Sequence, residues 1–470
     1  MELEQKERRL TWKNYLMIGS MLFGMFFGAG NLIFPLHLGQ LAGNHWGLAT
    51  IGFLLSGTLL PLLSIIAISI TRSEGIYDVA RPIGKHYALI FLILVHATLG
   101  PLFATPRTAT VPFELGIAPH IPAGQTSLYL AIYSAIFFLI TYRLSSRQSR
   151  IIDVIGRLLN PLFLILLAII FLFAFLSPMG QASHATATTA YTHGALTNGF
   201  LQGYNTMDAL AGLAFGVTVV TSIKLLGTHK PKNIALATAK SGALSMGIEA
   251  LIYLALILIG ATSLNQFKLS ANGGIVFAQI ANHYMGAVGD AILATLATVT
   301  CITTAMGLVT AFAQDFHKHF PKISYLAFLR FTCGISFLIA NIGLTQIIAW
   351  STPVLMFLYP LAITLIILAI LSPLFKQSSF IYRVTTIFTL IPAIFDMIHA
   401  LPPLLAQTAF ARSMTAFATH YLPLFKLGFD WIPFAAVGFL IGIGGYALRN
   451  ISLNWHLNRQ NLTDENDTDH

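Results

Sequence analysis

Charge is what this sequence has least of. Asp, Glu, Lys and Arg make up 9% of its 470 residues, 56% are hydrophobic, and the mean hydropathy is +0.75. A soluble protein carries about 25% charged residues to solvate its surface. The deficit excludes a soluble enzyme, a nucleic-acid binder and a disordered scaffold. Cysteine is nearly absent. Cys301 and Cys333 both lie in apolar segments, which leaves no disulfide framework and no metal-ligand spacing. A small-residue cleavage site is also missing, so the mixed-charge start MELEQKERRLTWK is expected to be a retained cytoplasmic tail and not a signal peptide.

Long apolar stretches are what the chain does have. Runs such as 158–176 and 354–371 reach or approach the roughly 18 residues that mark a membrane-spanning helix. Hydropathy predicts twelve: 14–37, 46–71, 86–104, 126–143, 151–177, 198–223, 240–263, 287–314, 324–341, 345–371, 380–399 and 431–449. Residues 105–117 are less apolar and either extend the third helix or lie across its end. Residues 272–284 read as a short interfacial helix.

The basic residues test this count. With the N-terminus inside, the predicted cytoplasmic segments hold 22 of the 26 Lys and Arg residues. Predicted outside loops hold Lys268, Arg412 and Lys426, and Arg107 is left over. One miscounted helix would swap every later loop, so this positive-inside alternation favours twelve spans with both ends cytoplasmic. It also accounts for the net charge of +9 without nucleic acid. The acidic end NLTDENDTDH reads as a solvated tail.

Two spans carry breaks. The first holds Gly24, Gly28, Gly30, Asn31 and Pro35, and unwinding near Gly28–Gly30 costs little. Small residues alone would suit close helix packing. An Asn directly after Gly-Ala-Gly points instead to freed backbone groups that need partners. The sixth span holds Gly203, Asn205, Thr206 and Asp208, where an intramembrane Asp demands a cavity, a cation or a partner. A helix starting at Asp208, capped by Asn205 or Thr206, fits the same residues. The two broken spans lie five helices apart, so corresponding halves would be inverted copies, the sequence pointer to a transporter's central site. The eighth span places Thr300, Thr303, Thr304, Gly307 and Thr310 on one narrow polar stripe. Single membrane threonines usually back-bond to their own helix. Three on one face would also suit a small hard cation.

The stretches GAGNLIFP (28–35), GPLFATPRTATVPFELGI (100–117), LQGYNTMDALAGLAFG (201–216) and TCITTAMG (300–307) resemble the branched-chain amino acid:cation symporters, the bacterial branched-chain amino acid transport system II carriers. The similarity covers nearly the whole chain. It implies an all-α membrane protein with a five-plus-five inverted-repeat fold like that of the neurotransmitter:sodium symporters, plus two extra helices. The implied organisation is a tail at 1–13, a first repeat at 14–177, a second at 198–371, two additional helices at 380–449 and a cytoplasmic tail at 450–470. The implied activity is uptake of leucine, isoleucine and valine across the bacterial inner membrane, driven by Na+. By the same resemblance, the carbonyls of Gly24 and Phe27 with Thr300, Thr303 and Thr304 would form the sodium site. A second sodium site in the symporter group uses the equivalent of Asn31.

The breaks supply the rest of the reading. Amides of Ala29, Gly30 and Asn31 are expected to cap a substrate carboxylate with the positive end of a helix. Asn205, Thr206 and Asp208 are expected to receive the ammonium. Arg107 and Glu114, seven residues apart, would pair on one face as a gate or a structural ion pair. Glu249 and Asp396 are expected at the interface, and His96 alone and packed. No cofactor is expected. Proton coupling, or another neutral amino acid, is the alternative within the same fold; a passive channel and an intramembrane enzyme lack the filter or catalytic groups they would need. Oligomeric state is left open.

Overall fold

The computed structural model describes residues 10–122, 124–147, 164–165 and 167–467. Residues 1–9 of the expected tail, and Arg150, Arg157 and most of the first half of the expected fifth helix, lie outside the described residues. Every regular element described is helical.

In order, the helices are α1 Trp12–Phe26, α2 Ala29–Ala42, α3 Trp46–Leu54, α4 Leu60–Thr71, α5 Ile76–Ala80, α6 Lys85–Ala97 and α7 Ala104–Gly116. Next come α8 Thr126–Arg147, α9 Leu167–Leu176, α10 Thr189–Gly203, α11 Asp208–Leu225 and α12 Pro231–Ser263. The chain continues with α13 Gly273–His319, α14 Tyr325–Ala340, α15 Leu344–Leu371, α16 Ser379–His399, α17 Pro403–Ala406, α18 Ala409–Tyr421 and α19 Trp431–Asp467.

Eight helical stretches among the described residues are long and apolar enough to cross a membrane, or nine if the bent pair Asp208–Gly216 and Val219–Leu225 is one span. The chain is therefore a multi-pass membrane protein. Of the expected twelve, the fifth lies partly outside the described residues, and others are short. Helices α1 and α10 have 15 residues each and α14 has 16, each below the length of a full span.

Several boundaries differ from expectation. Helix α10 begins at Thr189, nine residues before the expected 198, and α12 begins at Pro231, nine before 240. The proline at the first helical position suits that earlier start. The expected interfacial helix and eighth span are one element, α13, bent where Gly286 adopts φ 63°. Asn272 caps it by accepting from the Ile275 amide at 3.1 Å. The expected C-terminal tail at 450–470 continues α19 to Asp467, because no Gly or Pro interrupts the sequence after Gly445.

Helix α2 packs on α12, α10 on α3, α11 on α4, α1 on α12, α13 on α7, and α16 on both α15 and α19. Glycines allow the closest of these crossings. A Cβ on Gly260 would stand 2.1 Å from the Leu36 carbonyl of α2, and one on Gly199 would stand 2.1 Å from the Ala49 carbonyl of α3. Leucines and isoleucines of α4, α11 and α15 form one buried cluster with these crossings, and α2, α12 and α13 form a second. The helix ends that concern function lie where α1, α2, α10 and α11 meet.

Candidate functional site

Helix α1 stops at Phe26. Phe27 (φ −70°, ψ 98°) and Gly28 (φ −129°, ψ −161°) are extended, and α2 starts at Ala29. The Gly28 amide donates to Asn31 Oδ1 at 3.1 Å. It is thereby withdrawn from the Gly24 carbonyl, its helical acceptor, so the last turn of α1 ends with freed carbonyls. The first amides of α2, at Ala29 and Gly30, likewise lack helical acceptors.

Across from this junction, α10 ends in a short 3-10 turn at Tyr204–Thr206. Met207 then turns left-handed, φ 63°, and α11 begins at Asp208. A non-glycine residue there costs about 1–3 kcal/mol and persists only where its surroundings hold it. Met207 is buried, its amide donates to the Tyr204 carbonyl at 3.1 Å, and its carbonyl accepts from Ala211 at 2.9 Å. Tyr204 stacks on Tyr359 of α15 with ring centroids 3.9 Å apart.

One hydrogen-bonded group ties the two junctions together. Asn31 Nδ2 donates to Asp208 Oδ2 at 2.8 Å. The Tyr253 hydroxyl of α12 donates to the same oxygen at 3.4 Å, and the Asn31 amide also contacts that hydroxyl. Thr206 Oγ1 accepts from the Asp208 amide at 3.4 Å and donates to the Gly203 carbonyl at 3.0 Å. Arg107 of α7 reaches in from the side. Its Nη1 donates to the Asn205 carbonyl at 2.9 Å, Nη2 donates to Ser351 Oγ, and the guanidinium lies over the Phe34 ring, 5.0 Å from its centroid.

Between these groups lies a cavity of about 50 Å³. Its polar lining includes Ala29, Gly30, Asn31, Arg107, Asn205, Thr206, Asp208 and Thr304, and its apolar wall includes Met25, Leu99, Ala211, Phe215 and Leu308. The space suits a few water molecules, so a branched-chain amino acid requires the walls to part. Arg107 Nε and Asn205 Oδ1 are buried without a hydrogen-bond partner among the described residues. Unpaired buried polar atoms are uncommon and mark a place where a ligand has something to offer.

The other expected residues fall less centrally. Thr304 sits against Gly28, whose Cβ would lie 3.1 Å from its methyl carbon. Thr303 and Thr304 both donate to the Thr300 carbonyl, at 2.7 and 3.3 Å, which is the back-bonding expected of membrane threonines. A hydroxyl that donates this way keeps its oxygen lone pairs. Thr300 Oγ1 has no partner among the described residues. Gly24, Phe27, Thr300 and Thr303 stand outside the cavity lining.

Arg107 and Glu114 do not pair. They share a face of α7, but seven residues rise about 10 Å along a helix, too far once Arg107 is drawn to Asn205 and Ser351. Glu114 instead lines a separate cavity of about 650 Å³ beside His120 and Gln279. Two further expectations are corrected. Glu249 lies mid-helix in α12 and is fully buried, whereas Asp396 stays near a helix end, in the last turn of α16, at 6% exposure. His96 is not alone: its Nε2 lies 2.7 Å from Asp315 Oδ2. Tyr253 and Ser351 escaped the sequence reading, since a lone Tyr or Ser in an apolar helix is indistinguishable from packing.

The similarity of this chain to known proteins fits that geometry. Residues 11–447 match the model of the family described as branched-chain amino acid transport protein. The chain belongs to that family. It is thus one of a family of transporters, not of enzymes. It is 42% identical to the branched-chain amino acid permease BrnQ of Lactobacillus delbrueckii subsp. lactis over 93% of this chain and 98% of that one. It is 39% identical to the permease BraB of Bacillus subtilis (strain 168), over 92% and 95%. With the permease BrnQ of Escherichia coli (strain K12) it shares 35% identity over 90% and 93%. Among solved structures it resembles MhsT in complex with L-phenylalanine, with a TM-score of 0.53 at 14% identity over 93% of this chain and 99% of that one. That likeness shows a shared helical fold.

Proposed function

We propose that this family member imports leucine, isoleucine and valine by symport with Na+, through alternating access around the cavity between the α1–α2 and α10–α11 junctions. The observation that carries the reading is the Asn31–Asp208 hydrogen bond, 2.8 Å, which joins the two junctions at one cavity wall. In this reading α1–α2 and α10–α11 are the first and sixth spans of twelve, with 14–177 and 198–371 as inverted repeats. Their packing supports it: both α1 and α2 lie on α12, and α10 and α11 lie on α3 and α4. Exchanging the repeats exchanges those pairs.

The chemistry follows from charge placement. A zwitterion entering a membrane must have both ends re-solvated. Its carboxylate faces the amides of Ala29, Gly30 and Asn31 at the positive end of α2, with Arg107 adding positive potential from the cavity wall. Its ammonium faces Asp208 and the polar groups of Asn205 and Thr206. The aliphatic side chain meets Met25, Leu99, Phe215 and Leu308, an apolar wall that discriminates by only ~1–3 kcal/mol per methylene. One pocket then serves all three substrates. Sodium would be held by the carbonyls of Gly24 and Phe27 with the Thr300, Thr303 and Thr304 oxygens, and its arrival favours the closed, outward-facing arrangement.

Counterflow of labelled leucine in proteoliposomes with imposed Na+ and pH gradients tests the reading. Uptake should concentrate leucine inside and collapse with the Na+ gradient; uptake that follows only the pH gradient would favour the proton-coupled alternative. In the same vesicles, Thr303→Ala with Thr304→Ala should raise the Na+ concentration for half-maximal uptake by about tenfold, roughly 1.4 kcal/mol of binding. Thr304→Ser should be milder because it keeps the oxygen. Unchanged sodium dependence in the double variant would remove the threonine stripe from the cation site.

The orientation is tested by labelling. The two native cysteines are buried, so single introduced cysteines report cleanly. Gln125→Cys and Ser183→Cys should react with an impermeant maleimide on intact cells, and Lys230→Cys only on inverted vesicles. Reaction of Lys230→Cys from outside would overturn the twelve-span topology in the inner membrane with both ends cytoplasmic.

A further inference from the structure

Helix α12 carries a file of polar groups that the substrate and sodium contacts above leave unused. Ser241, Ser245, Glu249 and Tyr253 follow one another at intervals of four residues, about 6 Å of rise per step along one slowly winding face. All four are 0% exposed. Tyr253 ends the file at Asp208, to which its hydroxyl donates. Ser241 Oγ, Ser245 Oγ and both carboxyl oxygens of Glu249 have no hydrogen-bond partner among the described residues. This is not the habit of helical hydroxyls elsewhere on α12, where Thr262 and Ser263 donate to the carbonyls three residues back.

A carboxyl buried with no donor does not remain ionised; it takes a proton. Among the described residues no cation stands ready to replace that proton. Helices α3 and α4 bring no titratable side chain against α12, α2 brings His37, and α1 brings Lys13 and Tyr15. Helix α11 brings Lys224 at its far end and Asp208, which the Tyr253 hydroxyl joins to the file. His45 and His184 lie in turns at the opposite end of α12, and Lys232 and Lys240 lie in its first turns. Helix α13 touches α12 only marginally, and its described titratable groups lie at His283–Tyr284, Cys301 and Asp315–His319. The two acids thus lie near one another, Glu249 one helical turn from the tyrosine that donates to Asp208, and like charges so placed repel. Among the described residues no group of three or more His, Cys, Asp or Glu side chains gathers to hold a metal ion, and Glu249 lies outside the cavity lining.

We propose that Glu249 is a proton carrier coupled to transport, exchanging its proton along Ser245 and Ser241 with the aqueous phase at the Pro231 end of α12. Through Tyr253, its protonation sets the charge that Asp208 presents to the cavity. Each transfer breaks one O–H bond and forms another, with water bridging the steps that exceed hydrogen-bond reach. The proposal rests on the transport reading given above.

The test uses the full chain in proteoliposomes holding an entrapped pH dye, under a fixed Na+ gradient. Leucine uptake by the wild type should be accompanied by a proton signal, and its rate should change several-fold between about pH 6 and pH 8. Glu249→Gln mimics the protonated acid and should remove the signal and flatten the pH profile, while leucine binding in detergent stays within about threefold. Ser245→Ala should slow the signal and leave leucine binding unchanged. Should the Gln variant not survive extraction, Glu249→Asp decides the matter, since its shorter acid should shift the midpoint of the pH profile and an unmoved midpoint overturns the assignment. Wild-type vesicles that take up leucine without moving protons, or a Glu249→Gln protein with an undiminished signal, would also overturn it. Vesicles that take up no leucine would instead sink the transport reading itself.

Discussion

Gly30→Leu should abolish leucine binding and leave the protein folded. The expectation comes from what surrounds Gly30. A Cβ there would meet the Phe34 ring at 3.3 Å and the Thr206 Cα at 3.7 Å, contacts that a small ring movement accommodates. The rest of a leucine side chain would enter a cavity of about 50 Å³ and stand before the free amides at the start of α2. Binding assayed in detergent should therefore fall below detection, while the melting temperature drops by only a few degrees, roughly 1 kcal/mol. Gly260 provides the contrast. A Cβ there runs into backbone at 2.1 Å, so its substitution should cost stability first. Intact leucine binding in a folded Gly30→Leu protein would take the carboxylate site away from α2.

The same comparison explains what a reader of the sequence perceives. Gly-Ala-Gly-Asn and Asn-Thr-Met-Asp stand out because an apolar helix has no internal reason to hold them, and both segments line one cavity. The family resemblance was read from the same segments, and residues 11–447 match the family model. Tyr253 was not legible. On α12 it is one aromatic among many, and only folding reveals that its hydroxyl meets Asp208 and Asn31. Glu249 was misplaced at the interface because a lone carboxylate in an apolar run reads as a group that must reach water; α12 runs from Pro231 to Ser263 and holds it mid-helix.

Pairings were harder than positions. Arg107 and Glu114 have the spacing of a same-face pair, yet the Asn205 carbonyl and Ser351 hydroxyl, 98 and 244 residues distant in sequence, win the guanidinium. Long-range partners of this kind leave no periodic trace. The span count differs likewise: the helices that end at Phe26 and Gly203 have 15 residues each, too few to count as spans by length.

Asp208→Asn should raise the leucine concentration for half-maximal uptake by about 10- to 100-fold, the loss of a hydrogen bond to a charged group worth about 1.5–3 kcal/mol. The substitution is chosen because the amide has the shape of the carboxylate. Its oxygen still accepts from Asn31 and Tyr253, so the link between the two junctions survives and the melting temperature should hardly move. What disappears is the negative charge opposite the substrate ammonium. Asp208→Ala is a different experiment. It removes the acceptor of one Asn31 N–H and of the Tyr253 O–H in a buried site, each lost bond costing about 1–3 kcal/mol, and should lower stability together with uptake. A folded Asp208→Asn protein with wild-type leucine affinity would make Asp208 a strut between helices, and the ammonium would then have to be sought among the carbonyls of the Tyr204–Thr206 turn.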